Sequence, residues 1–174
     1  LAVCPYNTGH KADTTNVSES IERPSMNLLN LKPENRDSFS KIVKTLVQKH
    51  QTQPSEMLLH SIESEADPEM NYWMTMVLVQ EYFVSAQQEV AKDAAGEPVK
   101  ALQAACLLEN AGVVAALLEL GGFKGAVTGK EYQLAARIAS QHENQAILGL
   151  LMKYAQEKDQ LEPFMRSLQG STLQ

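Results

Sequence analysis

The sequence predicts an all-α protein: a helical array with an irregular N-terminal segment and two similar helix-turn-helix repeats towards its C-terminus. Three observations carry that prediction. Glu109-Asn110 recurs as Glu143-Asn144, a period of 34, and at that offset Ala105 meets Ala139, Val113-Val114 meets Ile147-Leu148, and Leu117-Leu118 meets Leu151-Met152. Recurrence at this length marks a helical hairpin that buries its apolar face only by stacking on neighbours. Ala, Leu, Gln, Glu and Met are plentiful while aromatics make up 6%, and those side chains lose little freedom in a helix. Apolar residues also recur at one-face helical spacing along most of 37–168, so no sheet is expected there.

The elements follow in order. Residues 1–33 are rich in Asn, Thr, Ser, Gly and Pro and read as extended chain, draped over the body by Ile21, Met26, Leu28, Leu29 and Leu31. A region over 34–97 is expected to pack on and cap the repeats. Its first helix starts with Asp37 as N-cap and carries Phe39, Ile42, Val43, Leu46 and Val47 on one face. Gln51 to Pro54 breaks it, and a short helix over Ser55 to Glu63 turns Met57, Leu58 and Ile62 inward. Asp67-Pro68-Glu69 is a strong start signal, combining a capping carboxylate, a proline at the first helical position and an acid at the positive end of the dipole. One long buried helix is expected from there to Lys92, with Tyr72, Met76, Val79, Phe83, Ala86 and Val90 in its stripe and Trp73, Met74, Val77, Leu78 and Val84 beside them.

The two repeats occupy 98–157. Gly112 is expected to separate the first pair of helices, and Gly121-Gly122 to end the second helix in a left-handed cap. Thr128 and Glu131 fit a capping box for the next hairpin. Residues 158–174 form a last helix with Leu161, Phe164, Met165 and Leu168 at core spacing, capping the array and fraying after Gln169.

The residues of the first repeat give it a family resemblance. Leu102-Gln103, Ala105-Cys106, Glu109-Asn110, Val113-Val114, Leu117-Leu118 and Gly121-Gly122 fall at the offsets where an ankyrin repeat places Leu-His, Ala-Ala, Gly-His, two β-branched residues, two leucines and Gly-Ala. The passage resembles a divergent ankyrin repeat. The apolar and small positions match and the polar signature does not: Lys100-Ala101 stands for Thr-Pro, and Glu-Asn stands for Gly-His in both copies. The second copy has Ala136-Arg137 in the Leu-His place. The resemblance covers about a third of the chain, and a plain helical bundle with two similar hairpins is the rival architecture. Since about three repeats are needed for stability, the helices of 37–92 must supply the N-terminal cap.

The resemblance implies a protein-recognition scaffold whose partner surface is made of first helices and connecting loops. The matching residues are Phe123, Lys124 and Lys130 in the loop 122–130, with Gln103 and Arg137 on the first helices. Phe123 either anchors in a partner's pocket or folds back onto the neighbouring repeat. Divergent modules of this kind are also common in effectors that bacteria deliver into host cells, so the resemblance extends to a host-directed effector.

Composition narrows the other classes. The 174 residues, 44% hydrophobic and 21% charged, are those of one ordinary globular unit. The formal charge of −6, with scattered Lys and Arg, argues against a nucleic-acid surface. Lys41, Lys44 and Lys49 read as the solvated face of one helix. No apolar run reaches the ~18 residues of a membrane span. Two cysteines make no disulfide framework, which points to a reducing, cytoplasmic setting; a monomer without cofactors is the separate expectation. The chain begins with Leu, as expected of a piece of a longer protein.

Candidate chemistry is thin. Glu56, His60 and Glu63 lie at i, i+4 and i+7 and share one helical face, a weak metal-site signal; an exposed acidic face running on through Glu65, Asp67 and Glu69 is the better reading. Cys4 and His10 fall in loop-like chain, unsuited to positioned nucleophilic chemistry. Cys106 reads as a packed thiol, and His142 as a capping or solvated residue. No phosphate loop, Cys-x-x-Cys pair, nucleophile elbow or zinc-protease motif is present. The expected role is therefore a non-catalytic binding or scaffolding module. The alternatives are a helical domain of an enzyme whose catalytic part lies outside this chain, and a docking or chaperone surface built on the acidic middle with Met57, Met70, Met74 and Met76.

Overall fold

The computed structural model describes residues 29–172, so the expectations for Cys4, His10, Ile21, Met26 and Leu28 lie outside the described residues. Within them the fold is all-α, with eight α-helices and one two-stranded hairpin. A 3-10 turn, Pro33–Asn35, leads into α1 (Arg36–His50), followed by α2 (Pro54–Glu63) and α3 (Pro68–Tyr82). Strands β1 (Glu89–Lys92) and β2 (Pro98–Lys100) come next, then α4 (Ala101–Leu107), α5 (Ala111–Glu119), α6 (Lys130–Gln141), α7 (Gln145–Glu157) and α8 (Leu161–Thr172). The helices stack in two rows: α2, α4 and α6 side by side, with α3, α5 and α7 behind them, α1 against α3, and α8 against α6 and α7.

The 34-residue recurrence is a recurrence of geometry. Helix α4 ends with Glu109 in the left-handed region at φ 57°, and α6 with Glu143 at φ 52°. In the first turn Asn110 N–H donates to Ala105 O at 2.8 Å and Glu109 N–H to Cys106 O at 3.2 Å; in the second Asn144 N–H donates to Ala139 O at 2.9 Å and Glu143 N–H to Ser140 O at 3.0 Å. These paired bonds satisfy the carbonyls that a helix end leaves unpaired. The same asparagine then starts the next helix, since Asn110 Oδ1 accepts from Val113 N–H at 3.2 Å and Asn144 Oδ1 from Ile147 N–H at 3.0 Å. One residue thus closes one helix and opens the next. The sequence Lys158-Asp159-Gln160 repeats the closing half before α8, with Asp159 at φ 54°.

A third helical pair precedes these two, which the fixed period hides. Asp67 takes the place of the capping asparagine, its carboxylate accepting from Glu69 N–H at 2.9 Å. It lies 43 residues before Asn110 instead of 34, because the connection from α3 to α4 carries the hairpin.

The hairpin corrects two expectations, the long helix to Lys92 and the absence of strands within 37–168. Helix α3 stops at Tyr82 because Phe83 turns left-handed at φ 57°, giving its N–H to Leu78 O, and Val84 N–H follows onto the same carbonyl at 3.1 Å. The tip between the strands is set by Asp93, whose carboxylate accepts from Ala95 N–H at 2.8 Å and Glu97 N–H at 2.9 Å, and by Gly96 at φ 84°. The residues just past Lys92, where the expected long helix would have ended, form a hairpin turn. The shift changes the fate of the predicted stripe: Tyr72 and Met76 are buried, while Phe83 is 87% exposed.

Three smaller corrections have local causes. Asn35, the last residue of the 3-10 turn, is the N-cap of α1 in place of Asp37. Gly112 lies inside α5 and is needed for close approach: a Cβ there would sit 2.2 Å from Pro68 O on α3. Gly129 caps α6 and the Thr128–Glu131 capping box does not form, because Glu131 is engaged elsewhere.

The core runs the length of the stack. Leu58, Ile62, Tyr72, Trp73, Val77, Leu78, Leu102, Val114, Leu117, Ile147, Leu151 and Phe164 are buried, and the small Ala105, Ala116, Ala136 and Ala139 let the helices approach closely.

Candidate functional site

Two connections emerge side by side from the array: the segment 83–100 with its hairpin, and the loop 120–129. They are tied at their bases. Gln87 Nε2 donates to Gly121 O at 3.1 Å and Phe123 O at 3.3 Å. Gly121 adopts φ 72°, and Gly122 packs so closely that a Cβ would meet Ala86 O at 3.0 Å and Leu117 Cβ at 2.9 Å. Gln133 Nε2 fixes the far end of the loop, donating to Val127 O at 2.8 Å.

Glu131 is the electrostatic centre of this region. Its Oε1 meets Lys100 Nζ at 2.5 Å, and its Oε2 accepts Lys124 N–H at 2.6 Å. Partial burial raises the carboxyl pKa, but the hydrogen bonds and charges of Lys100 and Lys124 outweigh that effect and hold it below the ordinary value. The bridge couples the end of β2 to the loop that opens α6.

The predicted site residues divide. Lys124, Lys130 and Arg137 are exposed. Gln103 is half-buried, and its Oε1 accepts Lys100 N–H at 3.3 Å at the start of α4, so it is partly used as a cap. Phe123 is drawn inward, with its ring edge-on to Tyr132 at 4.9 Å and Tyr154 at 5.6 Å between centroids. Tyr132 in turn stands edge-on to Phe164 at 5.4 Å and donates its hydroxyl to Leu151 O at 2.5 Å. Of its two sequence readings, Phe123 takes the one in which it folds back onto the neighbouring repeat. Burial pushes the phenols of Tyr132 and Tyr154 above their ordinary pKa, with the negative charge of Glu157 adding to both and that of Tyr154 adding to Tyr132.

The first helices expose a run of residues that single-helix reasoning does not assemble. Helix α6 shows Lys130, Leu134, Arg137 and Gln141, spaced four, three and four apart. Helix α4 shows Leu107, 45% exposed, and α2 shows Glu56, His60 and Glu63. Leu134 is 38% exposed although it lies between two cations. Only the stacking order α2, α4, α6 sets these exposed residues on neighbouring helices.

Glu56, His60 and Glu63 do not form a metal cage; among the described residues no three His, Cys, Asp or Glu are grouped to hold an ion. Cys106 is fully buried, and desolvation pushes its thiol up to about 12, which removes it from thiolate chemistry at neutral pH. His142 is exposed at the C-cap of α6. Among the described residues no helix is long and apolar enough to cross a membrane.

Comparison with protein-family models, curated proteins and solved structures gives no match for this chain.

Proposed function

We propose that this protein is a helical-repeat recognition module that holds a protein partner on the exposed row of its first helices, flanked by the hairpin and the loop 120–129. The observation that carries the reading is the row itself: Leu107 and Leu134 stand exposed among Gln103, Lys130 and Arg137 on helices whose opposite faces are fully packed. A rigid stacked scaffold with adjoining apolar and charged side chains suits protein recognition, where a few apolar anchors are ringed by polar contacts. The ankyrin-like reading of the repeats is supported by the tight turn, the two rows of helices and a hairpin projecting between successive pairs.

The row is charge-graded, acidic on α2 through Glu56 and Glu63 and basic on α6 through Lys130 and Arg137. A partner segment with the opposite gradient is oriented by it, because complementary charge fixes register and suppresses wrong docking. Affinity capture with wild-type protein and with an Arg137→Glu, Leu134→Ser double variant tests this. A partner retained by the first and lost by the second, at equal thermal stability, is the expected result. Capture of the same partners in the same amounts by both moves the surface elsewhere.

A further inference from the structure

Helix α1 carries a second, separate surface. Its inner side, with Val43 fully buried and Phe39 and Val47 packed beside it, faces α3. Its outer side opens a shallow groove of about 260 Å³ lined by Lys41, Ile42, Thr45 and Leu46. Ile42 is 43% exposed there. Lys44 and Lys49 are exposed on the same helix, and no Asp or Glu occurs from Ser38 to Ser55. In a chain of net charge −6, Lys41 lines the groove, Lys44 and Lys49 are exposed along the same helix, and the helix's one acidic residue, Asp37, lies in its first turn. Among the described residues the ion pairs are Arg36–Glu81, Lys100–Glu131 and Arg166–Glu162, and none of them uses an α1 lysine.

We infer that the outer face of α1 docks an acidic amphipathic segment of a partner protein, its apolar side chains set against Ile42 and Leu46 and its carboxylates beside Lys41, Lys44 and Lys49. Charge complementarity selects this occupant. Nucleic acid is disfavoured because affinity there grows with the number of phosphates neutralised, and three lysines on an acidic protein neutralise few. An anionic membrane is disfavoured because the free apolar surface of α1 is confined to the narrow strip of Ile42 and Leu46, whereas a helix lying in a membrane interface buries a whole apolar face. A helix laid along a groove, anchored by residues one turn apart and rimmed by charge, uses both features present.

The test uses the full chain and a synthetic helical peptide with leucines at i and i+4 and glutamates on its remaining faces, followed by fluorescence anisotropy. Saturable binding is expected, weakened about tenfold or more by the triple charge reversal K41E/K44E/K49E and by Ile42→Ser, in line with rim charges and a buried anchor. Arg137→Glu should leave it unchanged, which separates this surface from the first-helix row. No saturable binding, or binding indifferent to the lysine reversals, would overturn the inference. Equal binding of a peptide with the same composition but scrambled leucines would overturn its apolar half. Two further outcomes replace the occupant: cosedimentation with phosphatidylcholine vesicles containing phosphatidylserine but no peptide binding, or lysine-dependent self-association without peptide.

Discussion

Asn71 donates its side-chain N–H to Asn110 Oδ1 at 3.3 Å, joining α3 to α5 through two buried amides. Asn110 Nδ2 in turn donates to Ser61 O at 2.8 Å and Ile62 O at 3.0 Å, closing the end of α2. The capping residue of one repeat thereby ties three helices together. Asn144, its counterpart, is half-buried and donates to Glu109 Oε1 at 3.4 Å. Losing a cap costs about 1 kcal/mol, and stranding buried polar groups about 1–3 kcal/mol more. Asn110→Ala should therefore destabilise the fold by about 2–4 kcal/mol and Asn144→Ala by about 1 kcal/mol. Urea midpoints that rank the two variants equally would refute this.

Gly112→Ala should be among the most damaging single-methyl additions in the chain. The added Cβ would lie 2.2 Å from a backbone carbonyl of Pro68, which no rotamer change can relieve. Overpacking of this kind costs about 1–3 kcal/mol, occasionally more. Gly149→Ala serves as the control, since nothing lies within 4 Å of its added Cβ. Its helical position makes it neutral or stabilising by up to about 1 kcal/mol. Thermal melts of the pair should separate them clearly.

Leu117 and Leu151 stand at the same place in successive repeats, and both are completely buried. Leu→Ala at either should cost about 2–5 kcal/mol through lost transfer energy and the cavity left behind. An unchanged denaturation midpoint in one of them would show that the repeat register is misassigned.

Two phenylalanines have opposite roles. Phe123 packs edge-on against two tyrosines, so Phe123→Ala should cost about 1–3 kcal/mol. It is unsuitable as a surface variant that spares stability. Phe83 is exposed and left-handed, a conformation costing an ordinary side chain ~1 kcal/mol or more. Phe83→Gly should leave stability within about 1 kcal/mol of wild type, on the stabilising side. Differential scanning calorimetry distinguishes the two cases directly.

The Glu131 bridge predicts an acid limb to stability. Its folded pKa is lowered, so its contribution is present above the unfolded carboxylate value of ~4.3 and is lost as pH falls through the folded value. Wild type should exceed Glu131→Gln in stability at neutral pH, and the gap should close as the solution is acidified. Cys106, Tyr132 and Tyr154 act in the opposite direction: their folded pKa values are raised, so their contribution is complete below the unfolded values and is lost as pH rises beyond them. A gap between wild type and Glu131→Gln that stays constant with pH would place the origin of the difference in packing.

The helical hairpins are legible in the sequence because capping is local chemistry. Asp67 announces a helix start through the N–H group just after it, the recurrence of Glu109-Asn110 as Glu143-Asn144 marks the two turns without revealing the asparagine as their cap, and the buried aliphatics recur at 3.6-residue spacing. Three things are not legible, for physical reasons. Residues 83–92 are apolar enough to extend a helix pattern, and the left-handed turn at Phe83 has no glycine to mark it. The third helical pair escapes a period of 34 because the hairpin adds nine residues before α4. The candidate surface escapes because Leu107, Leu134 and Arg137 are ordinary residues of amphipathic helices until the stacking order aligns them. Gly112 carries a signal that is easily misread, since a glycine needed for close approach has the same letter as one needed for a turn.

The two-row stack also dictates how the molecule gives way under load. The principal packing contacts of each pair are to the pair before and the pair after, from α1 and α3 through to α8. Among the described residues, force applied between the ends meets no strand clamped across the stack, only a succession of interfaces loaded one behind another. Such a chain peels from its weaker end, each released pair lengthening the tether while the remainder keeps its shape. A partner spanning α2 to α6 would act as a splint, turning a sequence of small ruptures into a single larger one.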